Sequence, residues 1–414
     1  MQEHDDAERR HVEVTNRFDT CPALTSEPPG RLPCIGYRPQ VSTIEPFRIS
    51  IEPEVLVDLH ERISRTRWPQ APLEPGWESG TEPGYLRELL SHWQDFDWPA
   101  FEKTLNELPH YRFEGTHFVH ARGRGPDPLP IVLTHGWPGS FLEYRDLIPL
   151  LTEPDDPADA FDVVVPSLPG FGFSDWPASP GVVNAVVADR WHRLMTEGLG
   201  YRTFAAHGSD LGAGVTTQLA ELHPRSVRGI LLSATAMPRP QQPWSDAEQR
   251  YLAWMDEWQA AEGAYAHQHA TKPQTLGYGL TDSPAGLAGW IVEKYRDWSD
   301  SRGDVDARIG RAHLLATLTL YWVTGTITPS IRMYYEHRRQ PTPVTERIPV
   351  PAGFALFPNE FAPLPKPPRE LAERFYQVER WTELPRGGHF PAIEEPRLLA
   401  EELRAFFRPL RAPV

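Results

Sequence analysis

His207-Gly208-Ser209-Asp210-Leu211-Gly212-Ala213-Gly214 sets a carboxylate between glycines at the end of a short apolar run, Phe204-Ala205-Ala206. A helix-like segment follows from Val215 to Leu222. The pattern reads as strand, tight turn and helix, the Gly-x-nucleophile-x-Gly elbow, with Asp where hydrolytic enzymes often carry Ser. The glycines let the backbone turn sharply and let strand and helix approach closely. A carboxylate presented at the apex can attack carbon and form an ester that water must then cleave. Asp210 also fits a plainer role, as the N-cap of the helix behind it.

Such a nucleophile needs partners, which in this arrangement follow it in the order nucleophile, acid, base. Phe354-Ala355-Leu356-Phe357-Pro358-Asn359-Glu360 puts Glu360 just past the end of a strand, and Arg386-Gly387-Gly388-His389-Phe390 puts His389 in a glycine-rich loop. His389 can take a proton from water while Glu360 holds its tautomer and stabilises the imidazolium. Glu394 and Glu395 follow the histidine closely and fit the start of the last helix better. The strand end at Ala234-Thr235-Ala236 offers no carboxylate. An ester carbonyl under attack also needs two donors for its oxygen. The Leu211 N–H, next after the nucleophile, is one; the turn His135-Gly136-Trp137-Pro138 supplies the Trp137 N–H as the other.

These residues need a scaffold, and the chain alternates accordingly. Pro130–Thr134 reads as a buried strand, Phe141–Leu151 as a helix, Phe161–Val165 as a strand and Val186–Leu199 as a helix. The elbow strand and helix come next, then a strand at Val227–Leu232. Strands alternating with helices predict an α/β protein, with a mostly parallel central sheet covered on both faces and its site beyond the carboxyl ends of the strands. From Ile44 to about Pro109, apolar spacing predicts helices ahead of the first core strand, carrying Leu59 and Ile63, Leu89 and Trp93, and Trp98 and Leu105. After Pro238 the strands stop, and an aromatic-rich helical stretch runs to about 345. Strands return at Ala352–Phe357 and near Val378–Trp381, and Pro396–Phe407 closes as a helix. The expected division is an irregular tail over 1–44, an N-terminal segment over 45–115, a core over 116–238 and 346–414, and a helical lid over 239–345.

With 414 residues, 40% of them hydrophobic, the chain can bury a large core with an insertion. Its net charge of −15 argues against a nucleic-acid surface. Two cysteines, Cys21 and Cys34, imply neither a disulfide framework nor a Cys-based zinc site and fit a reducing compartment. No apolar run approaches a membrane span and the first ten residues are polar, so the expectation is a cytoplasmic protein with no signal peptide. Nothing implies a cofactor or a metal. The basic residues are nearly all Arg, which with 45 Pro points to a GC-rich bacterial source.

From about Pro46 to its end the chain resembles the α/β-hydrolase-fold epoxide hydrolases of the microsomal and juvenile-hormone type, the branch with an epoxide hydrolase N-terminal domain. The resemblance is carried by Thr66-Arg67-Trp68-Pro69, His135-Gly136-Trp137-Pro138-Gly139-Ser140, Pro169-Gly170-Phe171-Gly172-Phe173-Ser174, Thr324-Gly325-Thr326-Ile327 and Gly387-Gly388-His389-Phe390. It implies Asp210 as nucleophile, His389 as base and Glu360 as acid. It also implies two lid tyrosines that hydrogen-bond the epoxide oxygen: by position Tyr265, and Tyr334 with Tyr335 as its rival. A phenol suits that task, because it can donate a hydrogen bond and then a proton to the alkoxide that ring opening creates. The implied partners are a small epoxide, bulky and apolar or aryl to suit the aromatic lid, and water; a homodimer fits the family. The chain departs from the family in three places, one being that Met1 to about Gln40 lacks the hydrophobic anchor of the membrane-bound members, which favours a soluble enzyme. Ser209 and Leu211 stand where Gly and Trp are common, and the segment Tyr111–Thr116 looks short for the usual hairpin. Two other functions fit parts of the pattern. A haloalkane dehalogenase shares the Asp nucleophile but usually holds halide with an indole at the position of Leu211. A non-catalytic ligand-binding protein on this fold commonly loses triad members, all of which are present here.

Overall fold

The computed structural model describes residues 43–70, 72–74, 76–235, 237–344, 346–361 and 366–411. Apart from residues 43 and 44, the tail expected over 1–44 lies outside the described residues. After the short strand β1 (Glu45–Pro46) come three helices, α1 (Pro53–Ser64), α2 (Pro83–Gln94) and α3 (Trp98–Leu105). Each starts with Pro in its first turn, where the missing N–H costs nothing. Glu82 and Asp97 cap α2 and α3 by accepting from the Tyr85 and Ala100 N–H groups. The apolar residues spaced three and four apart turn inward, and Leu59, Leu89, Trp93, Trp98 and Leu105 are all buried.

A hairpin then forms before the first parallel strand: β2 (His110–Phe113) and β3 (Thr116–Ala121). The sequence reading placed the first core strand later. These two strands hide from a hydrophobicity pattern because the buried positions include His110, His117 and His120. The His110 and His117 rings are bonded to each other, Nδ1 to Nε2 at 2.9 Å. The expected alternation follows: β4 (Leu129–Thr134), α4 (Leu147–Thr152), β5 (Phe161–Pro166), α5 (Asn184–Arg193), β6 (Phe204–Ser209), α6 (Leu211–Leu222) and β7 (Val227–Ser233). Two of the expected helices are shorter than read. Phe141–Tyr144 is a separate 3₁₀ turn ahead of α4, and Leu194–Gly198 is a π turn after α5.

The insertion consists of α7 (Asp246–Glu262), α8 (Ala264–Thr271), α9 (Pro273–Asp282), α10 (Pro284–Trp298), α11 (Val305–Ile309), α12 (Arg311–Thr324) and α13 (Ile327–Arg339). The chain ends with β8 (Ile348–Leu356), α14 (Arg369–Glu373), β9 (Tyr376–Glu383), α15 (Pro391–Glu394) and α16 (Pro396–Phe407). Among the described residues the strands form one sheet of nine, in the order β1-β2-β3-β5-β4-β6-β7-β8-β9. It is parallel from β5 to β9 and antiparallel along the β1–β3 edge. Alternate strand residues feed two cores: Val132, Val164 and Ala206 on one face, Ile131, Val163 and Ala205 on the other. Helices α5 and α6 cover the first face, α4 and α16 the second. Burial on both faces is why these strands read as nearly unbroken apolar runs.

The N-terminal helices brace the insertion. α1 and α2 pack on α10, and α1 and α3 on α12. Trp93 Nε1–H donates to Thr319 Oγ1 at 2.8 Å, Tyr85 Oη–H to Asp306 Oδ1 at 3.0 Å, and Arg62 Nη1 reaches Asp282 Oδ1 at 2.6 Å. Among the described residues no single helix is long and apolar enough to cross a membrane.

Candidate active site

The elbow stands at the carboxyl end of β6. Asp210 adopts φ 53° and ψ −125°, a costly conformation for a non-glycine residue, by about 1–3 kcal/mol. Neighbouring backbone holds it there: the Asp210 N–H donates to Ala234 O at 2.9 Å, and Asp210 O accepts from the Ala213 N–H at 3.0 Å. The close approach explains the glycines. A Cβ on Gly212 would lie 2.0 Å from Thr134 O, and one on Gly136 would lie 2.3 Å from Asp210 Oδ1. The side chain makes no cap bond to α6, so the N-cap alternative does not describe it. Instead Asp210 Oδ1 accepts from the Trp137 N–H at 2.8 Å. The Leu211 N–H, the other expected donor, makes no hydrogen bond to the resting carboxylate.

His135 sets the Trp137 turn. Its Nδ1 faces Gly136 O at 3.0 Å and its Nε2 faces the Leu168 N–H at 3.1 Å. Carbonyls only accept and amides only donate, so the proton is on Nδ1 and the ring is neutral. Burial pushes its pKa down to about 4. Tyr321 Oη–H, from lid helix α12, donates to Gly139 O at 3.1 Å and ties the far end of the turn.

His389 is buried in the loop before α15, with Nδ1 3.3 Å from Glu360 Oε1 and Nε2 3.6 Å from Asp210 Oδ2. Burial alone would lower its pKa, but the Asp210 and Glu360 carboxylates outweigh burial and raise it to about 10. Its N–H donates to Trp298 O, at the end of α10, at 2.9 Å. Glu394 shapes the loop by accepting from the Gly388, Phe390 and Asp300 N–H groups at 3.0, 2.9 and 2.8 Å. Glu395 pairs with Arg308 and Arg386. Neither rival acid faces the His389 ring in these contacts. Glu395 stands at the N-cap position of α16, the start of the last helix as the sequence suggests, while Glu394 ends α15 and serves the loop.

Tyr265 (α8) and Tyr334 (α13) line the same cavity of about 620 Å³ as Asp210, Glu360 and His389. Their rings are 6.3 Å apart and pack on Trp137, Tyr265 stacked at 5.7 Å and Tyr334 edge-on at 6.2 Å. Burial, and next the Asp210 charge, hold the Tyr265 phenol far above 10; burial, and next the charge that Tyr265 would carry when ionised, do the same for Tyr334. Tyr335 is turned to Arg332 and Arg339, its Oη accepting from Arg339 at 3.1 Å, and does not line the cavity.

Three residues beside the cavity were not singled out from the sequence. Glu143 is buried; burial first, opposed by His389 and reinforced by Asp210, raises its pKa to about 8, so it is neutral at pH 7. Its only signal, Ser140-x-x-Glu143, imitates a capping box. His269 is one turn beyond Tyr265 and touches the Trp137, Tyr265 and Tyr334 rings. Trp290 Nε1–H donates to its Nε2 at 3.0 Å, and burial together with the Lys294 charge pushes its pKa down to about 3. Lys294 itself is buried beneath Tyr265. Among the described residues no group of three His, Cys, Asp or Glu side chains is arranged to hold a metal ion.

Comparison with known proteins gives this geometry a family. Residues 44–144 match the model of the epoxide hydrolase N terminus, and residues 130–273 that of the alpha/beta hydrolase fold. A Stigmatella aurantiaca relative is 42% identical over 382 residues, 89% of this chain and 86% of its own. Epoxide hydrolase 1 of Oryctolagus cuniculus is 34% identical over 416 residues, 90% of each chain. The crystal structure of juvenile hormone epoxide hydrolase from Bombyx mori superposes with a TM-score of 0.82 at 29% identity, covering 89% of this chain and 95% of that one. The chain belongs to the α/β-hydrolase-fold epoxide hydrolases with an epoxide hydrolase N-terminal domain, enzymes that hydrolyse epoxides to diols.

Proposed function

We propose that Asp210 opens the epoxide directly and that Tyr265 and Tyr334 receive its oxygen. One observation carries this reading: the Asp210 carboxylate, the His389–Glu360 pair and two phenols share one cavity. Asp210 Oδ2 attacks an epoxide carbon and the C–O bond to the ring oxygen breaks. A tyrosine proton goes to the departing alkoxide. Asp210 Oδ1 becomes the ester carbonyl oxygen, already held by the Trp137 N–H, and the Leu211 N–H joins it as the tetrahedral intermediate forms.

The proton count closes through His389. At rest it is an imidazolium, held so by the two carboxylates. Ester formation removes the Asp210 charge, and the imidazolium returns a proton to the tyrosinate. His389 is then neutral and can take a proton from water as that water attacks the ester carbonyl. The tetrahedral intermediate then collapses: the bond from the Asp210 carbonyl carbon to the substrate-bearing oxygen breaks, the remaining proton of the added water passes to that departing oxygen, and the Asp210 carboxylate is left facing the imidazolium. Glu360 keeps the ring oriented and stabilises its charged form.

The substrate is a bulky apolar or aryl epoxide. Trp254, Met255, Trp258, Val344, Phe357 and Phe361 line the cavity, and its volume suits a small organic molecule. One turnover in oxygen-18 water, with enzyme in excess, tests the nucleophile. The first diol should be unlabelled, with label retained on Asp210 and appearing in later product. A fully labelled first diol with an unlabelled Asp210 peptide would sink the covalent role.

A further inference from the structure

We propose that Lys294 is a positioning residue that makes Tyr265 a better acid, with Glu293 setting how strongly it does so. This rests on the reading of Tyr265 as the proton donor. Lys294 is 5% exposed, and a lysine is rarely buried so deeply without a reason. Its Nζ stands 4.8 Å from the centre of the Tyr265 ring and 5.8 Å from that of Trp298. It does not line the cavity, so the ammonium reaches the ring from the protein side while the substrate meets the phenol. Its partner is Glu293 Oε1 at 2.6 Å, whose side chain is 22% exposed. An apolar side chain of the same length would cover Tyr265 without the desolvation cost of an ion.

The chemistry gives the cation a purpose. Tyr265 lies in a buried site facing the Asp210 carboxylate, and both conditions oppose loss of its proton. As the alkoxide takes that proton, negative charge grows on the phenol whose ring the ammonium covers at 4.8 Å from its centre. At an effective dielectric constant of about 20, a full charge there is favoured about a hundredfold in ionisation. Partial transfer and the neighbouring Glu293 anion reduce this to about tenfold in rate. Unlike a proton donor, Lys294 touches no reacting atom and acts only through the ring it faces.

Single-turnover kinetics at saturating epoxide test this. Ester formation and ester hydrolysis are resolved for Lys294→Met and Glu293→Gln, each alone and with Tyr265→Phe, on epoxides whose opened alkoxides span a range of basicity. Lys294→Met should slow ester formation about tenfold, most for the most basic alkoxides, and leave hydrolysis within about twofold. Glu293→Gln should speed ester formation about twofold, and both effects should vanish in the Tyr265→Phe background. A wild-type rate of ester formation in Lys294→Met, an equal loss for every epoxide, or a loss that persists with Tyr265→Phe would overturn the proposal. Should Lys294→Met fail to fold, Lys294→Arg and Lys294→Gln replace it: the charge-keeping variant should stay within about twofold of wild type while the neutral one slows ester formation, and equal rates for the two refute the proposal. Tyr265→Phe alone separates the two ideas. If it forms ester at the wild-type rate, the reading of Tyr265 is wrong; if it is slow while Lys294→Met is not, only the role of Lys294 falls.

Discussion

His389 Nε2 faces Asp210 Oδ2 across 3.6 Å while its Nδ1 meets Glu360 Oε1 at 3.3 Å, so one buried ring stands between two carboxylates. Removing the Asp210 charge should therefore release the proton. In Asp210→Asn the His389 pKa should fall from about 10 toward its ordinary 6.5 or below, because burial then has one carboxylate fewer opposing it. Histidine-labelled NMR titration of both proteins reads this directly; an unchanged value in Asp210→Asn would refute the electrostatic account. The sign for stability follows. A raised pKa contributes stability that is fully present below about 6.5 and is lost as pH rises through about 10.

His389→Gln should form the ester and stop. The variant should consume about one equivalent of epoxide and then carry a mass increase equal to the substrate, localised to the Asp210 peptide. Unmodified protein after long incubation would mean that the histidine is needed before the ester forms. Glu360→Gln should be milder, since it weakens the orientation of the base without removing it.

Tyr265→Phe and Tyr334→Phe should each slow ester formation by about 10–100-fold. Losing both should cost about 10³–10⁴-fold, because either phenol alone still stabilises part of the alkoxide charge. Tyr335→Phe serves as the control, and its rate should match the wild type. Full activity in the double variant would remove the pair from the mechanism.

Glu143→Gln tests the buried neutral carboxyl. Glu143 keeps its proton up to about pH 8 in the fold and only to about 4.5 when unfolded, so stability contributed below 4.5 drains away as pH rises to 8. The glutamine variant has no such proton to lose. Its melting temperature should exceed that of the wild type at pH 9 by on the order of 5 °C, with the difference shrinking toward pH 4. A gap independent of pH would show that Glu143 is not held neutral.

The elbow was legible because its glycines answer a steric demand: Gly212 must pass within reach of Thr134 O, and spacing in the chain records that. The parallel strands were legible because burial on both faces leaves apolar runs. The β2–β3 hairpin was legible only through the resemblance, which puts a hairpin at Tyr111–Thr116; apolar alternation does not show it, since its inward positions carry histidines bonded to each other and to Ser167. Tyr334 and Tyr335 are adjacent on a helix, about 100° apart, and a broad apolar face does not separate them. Lys294 and Glu143 were illegible for a further reason: a charged residue reads as surface until tertiary packing buries it.

The braces between the N-terminal helices and the insertion bear on how the insertion can move. Trp93 is bonded to Thr319, Tyr85 to Asp306 and Arg62 to Asp282, while the backbone of His389 is bonded to that of Trp298. Swinging the insertion away as one flap would break all four at once. Moving the insertion as a whole therefore costs more than rearranging side chains within it. Trimming α1 and α2 should therefore loosen the insertion that carries the two tyrosines before it touches the elbow.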